Sequence, residues 1–513
     1  MNSVTECDMS GSDPVGDPSP LRQLYLEPHD AARPIKLKVV LAADMPRWIA
    51  GFIDLTDAEK WIEVSVHAAG KEFDASGADV LLAIGPRALA NRLAGQPGQL
   101  CWWLDPSLVD LRNPPESLMS PMLRGETATV IELQLVSDGV PPICLARSAF
   151  STQFGWPKRQ VARGGGKLQT LLLRGLRHVA HGGHRSTGKV ETLRLAGSED
   201  PLGFGLSIWL ATLSMANLAR KLWARRSRKP PWVVAVRNDV TPLDPHAPTV
   251  DLPTFLVAPD GGYWADPCAV KYNGHRYLFV EEVTSSCKRG VITCLELIDK
   301  KVAKKLGVVL DEPGHLSYPQ PFLWEGQWYM TVESGEARRI SLYQAQEFPF
   351  RWSRRTDLLV GYFCADPTMH YHNGCWYLFA NVVENGGSDW DELFLFVSDS
   401  LAGPFIPHPA NPVVSDVRSA RCAGRLFEHN GRLIRPAQDC SRCYGSAVVF
   451  NEVLELSPSC YRERSISRLD PSWVPGIERC HTYNRADGLE LLDAVGNLDG
   501  AAQRVFIEGA AGA

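Results

Sequence analysis

ADPCAVKYNGHRYLFVEE, residues Ala265 to Glu282, and ADPTMHYHNGCWYLFANV, residues Ala365 to Val382, lie 100 residues apart and share an opening A-D-P, an N-G at the same offset and a Y-L-F return run. Midway, YPQPFLWEGQWYMTVES (Tyr318 to Ser334) keeps the form. CAGRLFEHNGRLIRPAQD (Cys422 to Asp439) repeats it, and CHTYNRADGLELLDAV (Cys480 to Val495) does so more faintly. The turn glycines Gly274, Gly326, Gly374, Gly431 and Gly488 are spaced 52, 48, 57 and 57 residues apart. Asn-Gly, Glu-Gly or Asp-Gly between β-rich runs makes a tight hairpin, because primed turns need positive φ. One strong hairpin per unit of about fifty residues suits a four-stranded blade, and five such units make a five-bladed β-propeller over 232–497. A sandwich would not need this even spacing. VVAVR (Val233 to Arg237) is expected to supply an outer strand to the last blade.

If each Asn-Gly pair fills a two-residue turn, facing positions follow by counting outward. Asp266 then faces Glu281, Asp366 faces Asn381, Tyr318 faces Glu333 and Ala423 faces Gln438. The strand nearest the axis opens each blade, so these polar groups are expected to converge on a central cavity. Convergent carboxylates in a concave site are what glycosidic bond cleavage uses. Asp266, Asp366 and Glu333 are the catalytic candidates. Trp264, Glu281, Tyr318, His315 (in HLSYP) and His481 (in CHTY) are candidates for contacting a sugar, with Tyr263, Trp328, Trp376 and Tyr377 as further stacking surfaces. The competing reading is structural: Asp before Pro often turns a strand, and most of these aromatics have to fill a core.

Composition narrows the partners. The 513 residues are 45% hydrophobic and 22% charged, which fits a globular chain of two or three domains. A net charge of −5 offers no electrostatic reason to bind nucleic acid. Thirteen Cys, an odd number without framework spacing, suggest reduced thiols and a cytoplasmic chain. Residues 1–34 read as a disordered tail without signal-peptide character, 161–231 as a basic and apolar linker with a helix, and 498–513 as a second tail. Within the linker, Leu202 to Ala219 carries no charge and is followed by Arg220, Lys221, Arg225, Arg226, Arg228 and Lys229. A connecting helix, an interfacial helix held to anionic lipid at the inner membrane, and a membrane span are the three readings of 202–229. His178, His181 and His184 lack ligand spacing with Cys or carboxylates, and Cys440-x-x-Cys443 lacks a second pair. No metal and no cofactor are expected.

Residues 35–160 read as an α/β domain on a parallel sheet, with IKLKVVLAAD and ADVLLAIG as buried strands. No phosphate-cradling glycine motif follows either strand. Leu100 to Ile143 resembles the core of the folate-dependent formyltransferases, with Pro106-Ser107 and Arg112 to Pro115 in matching places. Where that family has its Asn and His, this chain has Trp103 and Asp105, so a formyltransferase-like fold without the acid–base group is implied.

The second half also resembles a known family. Trp264-Ala265-Asp266-Pro267, His315 to Pro319, Asp366-Pro367-Thr368, Ser419 to Gly424 and Arg435 to Ser441 with Tyr444-Gly445 are similar to the amino-terminal propeller of plant glucosamine inositolphosphorylceramide transferase. More distantly they are similar to the propellers of glycoside hydrolase families 43 and 32. The hydrolase resemblance implies that Asp266 is the base or nucleophile and Asp366 the carboxylate that tunes the acid. The opening of the fourth blade departs from it, placing Arg421 near the acid's position. Arg421 and Arg435 would suit an anionic glycan or phosphate, with Gln438 and Asp439 as further binding candidates. Two functional classes follow: an enzyme acting on a glycosidic linkage of a cell-surface polysaccharide or glycolipid, or a non-catalytic glycan-binding module that partners a glycosyltransferase.

Overall fold

The computed structural model describes residues 24–26, most of 34–195, Met215 and, with short breaks, 230–498 and 506–508. Leu202 to Ala219, apart from Met215, with its basic flank, Asp105, His184 and most of the tails lie outside the described residues. Among the described residues no helix is long and apolar enough to cross a membrane.

All five hairpins form, and five sheets follow one another around an axis. Blade 1 runs Tyr263–Tyr272, His275–Val283, Val291–Leu297, Val302–Leu310. Blade 2 runs Ser317–Trp324, Gln327–Ser334, Arg339–Glu347, Arg351–Val360. Blade 3 runs Cys364–His372, Cys375–Val382, Leu393–Ser398, Ile406–Pro407, and blade 4 runs Phe427–His429, Arg432–Asp439, Ala447–Leu456, Tyr461–Leu469. The turn chemistry is as expected: Asn273, Glu325, Asn373 and Asn430 sit near φ +50°, and all five glycines are at positive φ.

Blade 5 closes the ring with strands from both ends of the propeller. Leu489–Gly496 pairs with Trp232–Asn238, which pairs in turn with Thr254–Leu256. The VVAVR run is therefore an internal strand of that blade, and Thr254–Leu256 lies outside it. The 498–513 segment is not all tail, since Phe506–Glu508 pairs in parallel with Val302–Lys304 on the outer edge of blade 1.

The α/β domain holds a seven-stranded sheet ordered Ile62–Ala68, Ile35–Leu41, Val80–Ile84, Leu100–Leu104, Val190–Leu195, Ala128–Val136, Ile143–Ser151. Its first five strands are parallel, as expected. The last two run antiparallel, so the sheet is mixed. Trp103, at one of the positions that departs from the formyltransferase pattern, donates its Nε1–H to the Gly85 carbonyl at 2.7 Å.

The 161–231 linker is also corrected. Pro157–Ala180 is one 24-residue helix, in which Gly164 and Gly175 serve close contact rather than flexibility. A Cβ on Gly164 would stand 2.5 Å from Leu118. Leu168, Leu171, Leu172 and Leu176 pack into the core under the sheet. His181 ends this helix with Nδ1 2.8 Å from the Arg177 carbonyl. The 1–34 tail is ordered in part: Leu24 and Tyr25 are buried against blade 3, where their apolar area finds Leu378, Phe394 and Phe396.

Candidate active site at the propeller axis

The register departs from simple counting at one informative place in each of blades 1 to 4. Cys268 faces Phe279 as expected, but Ala265, not Asp266, faces Glu281, with a bulge between. Likewise Ser317 faces Glu333, and Ala365 faces Asn381. In blade 4 Cys422 bridges Ala437, and Gln438 donates its N–H to the Arg421 carbonyl at 2.7 Å, so Ala423 does not face Gln438. Asp266, Tyr318 and Asp366 occupy the bulges, each at φ near +50° and each followed by Pro. This conformation is costly for a non-glycine residue and persists where surroundings hold it. Here the holders are polar groups of neighbouring blades. Asp493 accepts the Asp266 N–H at 2.9 Å, Asp266 accepts the Tyr318 N–H at 3.1 Å, Glu333 accepts the Asp366 N–H at 2.9 Å and Asn381 accepts the Cys422 N–H at 3.0 Å.

Two buried ion pairs meet at the axis. His481 lies between Asp266 (3.0 Å from Nε2) and Asp493 (2.7 Å from Nδ1). Burial alone would lower the proton affinity of His481, but Asp493 and Asp266 outweigh it and lift the imidazole to about 10. Burial likewise opposes ionisation of Asp266, yet His481, Arg421 and the Tyr318 N–H hold its carboxyl below the usual range. Asp266, His481 and Asp493 also have donor atoms close enough together to hold a cation. A protonated His481 between the two carboxylates supplies the positive charge of this cluster without one.

Arg421 forms the second pair. Its Nε lies 2.7 Å from Asp366 Oδ2 and its Nη2 3.3 Å from Oδ1, while Nη1 pairs with Asp389. The guanidinium carbon sits 4.8 Å from the Tyr444 ring centroid. Gln438 donates a further hydrogen bond to Asp366 Oδ2 at 2.8 Å. Burial and the Asp266 charge push Glu333 up, and burial, Glu333 and Asp266 push Asp366 up, in both cases against the pull of Arg421. With three donors on its oxygens Asp366 favours the ionised form, so the proton shared by this pair belongs on Glu333.

At the mouth His315 Nε2 is 3.0 Å from Glu281, and the Tyr263 hydroxyl donates to the same carboxylate at 3.1 Å. Glu281 favours the imidazolium and lifts His315 to about 9, whereas the Gly290 N–H donated to Nδ1 requires a lone pair there. The hydrogen bond decides for the neutral ring, since both of its nitrogens are then satisfied. Tyr263, His315, Glu333, Asp389, Trp390, Tyr444 and Trp232 are the partly exposed groups around this centre.

Several candidates stand elsewhere. Trp264 is core, with its Nε1–H donated to Glu282 at 3.1 Å. Tyr318 contributes its strained backbone, but its ring is buried and its hydroxyl accepts the Gly424 N–H at 2.6 Å. Arg435 is fully buried and bidentate to Glu463 (2.7 and 2.6 Å), and Asp439 pairs with Arg468 at 3.0 Å; neither faces the axis centre. Trp328, Trp376 and Tyr377 pack between blades. Asp493, Asp389, Trp390 and Trp232 were not singled out from sequence. The four polar axial residues Glu281, Glu333, Asn381 and Gln438 each lie seven positions after a turn glycine, whereas Asp493 lies five after Gly488. That shorter return strand hid it.

The imidazolium carries a pH signature. Its folded-state affinity exceeds the unfolded value of about 6.5, so its contribution to stability is complete below about pH 6.5 and is lost as pH rises through about 10. Thermal unfolding midpoints measured from pH 6 to 10.5 should fall in the wild type and fall less in His481→Gln. Parallel curves would show that His481 is not charged in the fold.

Residues 257–471 match the family model described as glucosamine inositolphosphorylceramide transferase 1, N-terminal. The transferase of Oryza sativa subsp. japonica is 34% identical over 218 residues, 41% of this chain and 29% of that protein. That of Arabidopsis thaliana is 32% identical over 204 residues, 39% of this chain and 27% of that protein. The chain thus spans under a third of the length of the curated relatives it matches. Among solved structures, the family 117 glycoside hydrolase Zg3597 of Zobellia galactanivorans has a TM-score of 0.35 at 15% identity, covering 51% of this chain and 90% of its own. The family 43 β-xylosidase/α-arabinofuranosidase CoXyl43, from a compost microbial metagenome, has a TM-score of 0.35 at 13% identity, covering 53% and 100%. Over residues 257–471, which carry four of its five blades, the chain is similar to the N-terminal domain of the glucosamine inositolphosphorylceramide transferase 1 family.

Proposed function

We propose that the propeller recognises a carbohydrate at the mouth of its axial site without hydrolysing it, and that the sugar is neutral or carries an ammonium group. The observation that carries this reading is the saturation of Arg421. Its guanidinium is taken by Asp366 and Asp389 and lies over Tyr444, so it offers no proton and no free fork to a phosphate or sulfate. The partly exposed groups are instead carboxylates (Glu333, Asp389) and aromatic rings (Tyr263, Trp390, Tyr444, Trp232), a set that stacks on sugar faces and favours positive over negative ligands. The expectation of an anionic glycan is dropped on this ground. The relatives' name, which joins glucosamine to an inositolphosphorylceramide, supports a sugar carried on a lipid as the ligand class. A glycosyltransferase as partner fits the same reading.

A second reading rests on the opposite displacements of two carboxyls: Asp266, held down, would be the base and Glu333, held up, the acid. A glycan array with neutral, amino and anionic members, followed by mass spectrometry of the bound sugars, separates the two. We expect binding to neutral or amino sugars, no product, and affinity within about threefold of wild type for Asp266→Asn. Cleavage that falls by about a thousandfold or more in Asp266→Asn and Glu333→Gln would replace recognition with hydrolysis. Binding to no sugar, or only to anionic ones, would remove the proposal.

A further inference from the structure

The basic stretch that reads as a linker builds a contact that neither the fold nor the sugar reading requires. Arg163, Lys167, Thr170, Arg174 and Arg177 recur at helical spacing on one face of Pro157–Ala180. Four of them point at the blade 3 loop 384–392. Lys167 Nζ lies 3.3 Å from Asp391 and pairs with Glu392, and all three side chains are buried. Arg163 is 3.8 Å from Asp391. Arg174 pairs with Glu384 and is 3.0 Å from Glu392. The Thr170 hydroxyl donates to the Asn385 carbonyl at 2.8 Å, and Asn385 donates to Gln169 at 2.7 Å.

The same loop carries Asp389, which holds Arg421, and Trp390, whose ring centroid is 6.1 Å from that of Tyr444. Its last residue links inward as well. The Glu392 carbonyl accepts Asn381 Nδ2 at 3.0 Å, and Asn381 Oδ1 accepts the Cys422 N–H, next to Arg421. A second contact holds the segment leading to Arg421. The sheet edge at Ala149 accepts the Val417 N–H at 2.9 Å and donates to Ser415 at 3.0 Å. The α/β domain therefore grips two of the segments that shape the rim.

We propose that the α/β domain is the positioning element of the propeller site, with Lys167 as the residue that sets the 384–392 loop and through it Asp389 and Arg421. Buried ion pairs are weak stabilisers compared with apolar packing but strict about partner and geometry, which suits setting a loop. The inference goes beyond the proposed function and stands whichever sugar, or none, occupies the mouth.

Hydrogen exchange of the full chain, followed by mass spectrometry, tests it without a ligand. Lys167→Met and Thr170→Val should speed exchange of 384–392 and of the Cys422 amide by about tenfold or more. The blade 2 hairpin, 317–334, should be unchanged, and Lys167→Arg should return the loop toward wild type. Unchanged loop exchange in Lys167→Met would overturn the proposal. So would equal acceleration in the blade 2 hairpin, since the helix would then support the whole fold rather than the rim. If Lys167→Met does not fold, Thr170→Val, which removes one hydroxyl, decides by the same two regions.

Discussion

Arg421→Gln is expected to lose about 3–5 kcal/mol of stability, a fall in the unfolding midpoint on the order of 10 °C. The guanidinium is the only cation in direct contact with Asp366 among the described residues, and Asp389 and Glu333 stand close by. Removing it leaves three carboxyls around one buried point. Asp366 then loses the guanidinium that keeps it ionised, and burial and Glu333, which already push its proton affinity up, place a proton on it. Such a group favours the fold below its unfolded affinity and ceases to do so as pH rises through the folded one. The variant should therefore be worst at alkaline pH and recover toward pH 5. Adding Asp366→Asn should restore much of the loss, because the amide leaves no uncompensated buried charge and can still hydrogen-bond to the introduced Gln. Lysine should rescue poorly, lacking the planar fork that meets both oxygens. Calorimetry at pH 5, 7 and 9 checks this, and an Arg421→Gln midpoint within 1 °C of wild type at pH 7 would show that the guanidinium does not hold the centre together.

The second large effect concerns a glycine. Gly424 sits at φ +136°, and a Cβ there would lie 2.0 Å from the Tyr483 carbonyl oxygen and 2.9 Å from Asn484 Oδ1. Those atoms belong to blade 5, and the Tyr483 N–H is donated to Ala423 at 2.7 Å across the same seam. Backbone cannot yield there as a flexible side chain would, so Gly424→Ala must open the junction between blades 4 and 5. We expect a loss above about 4 kcal/mol, read as little or no soluble folded protein. Gly431→Ala, at φ +73° with open space around it, should cost only about 1–2 kcal/mol. Equal stability of the two variants would mean that the seam is looser than its geometry.

The propeller was legible because its hairpins repeat a local chemistry, an Asn-Gly or Glu-Gly turn between apolar runs, that needs no distant partner. The axial carboxylates were legible for a related reason: they keep a fixed distance from those turns. What could not be counted was the bulge. One extra residue at Asp266, Tyr318 and Asp366 moved each of them off its expected partner while leaving Glu281 and Glu333 in place. Arg435 misled because a buried arginine and a ligand-binding arginine look alike until the counter-charge, here Glu463, is known. Asp389 stayed hidden in a loop without repeat spacing. The basic helix misled through composition: Gly-Arg-rich sequence suggests a linker, and only the acidic loop it meets explains why its charges fall on one face.

The strand Phe506–Glu508 has an effect out of proportion to its length. It lies along the outermost strand of blade 1, where Val308 is half exposed and a row of amides would otherwise face solvent. An open row of this kind templates pairing with another chain. Phe506 to Glu508 thus shield the start of this edge, and without them the Val302–Lys304 stretch would be left open to pairing by another strand.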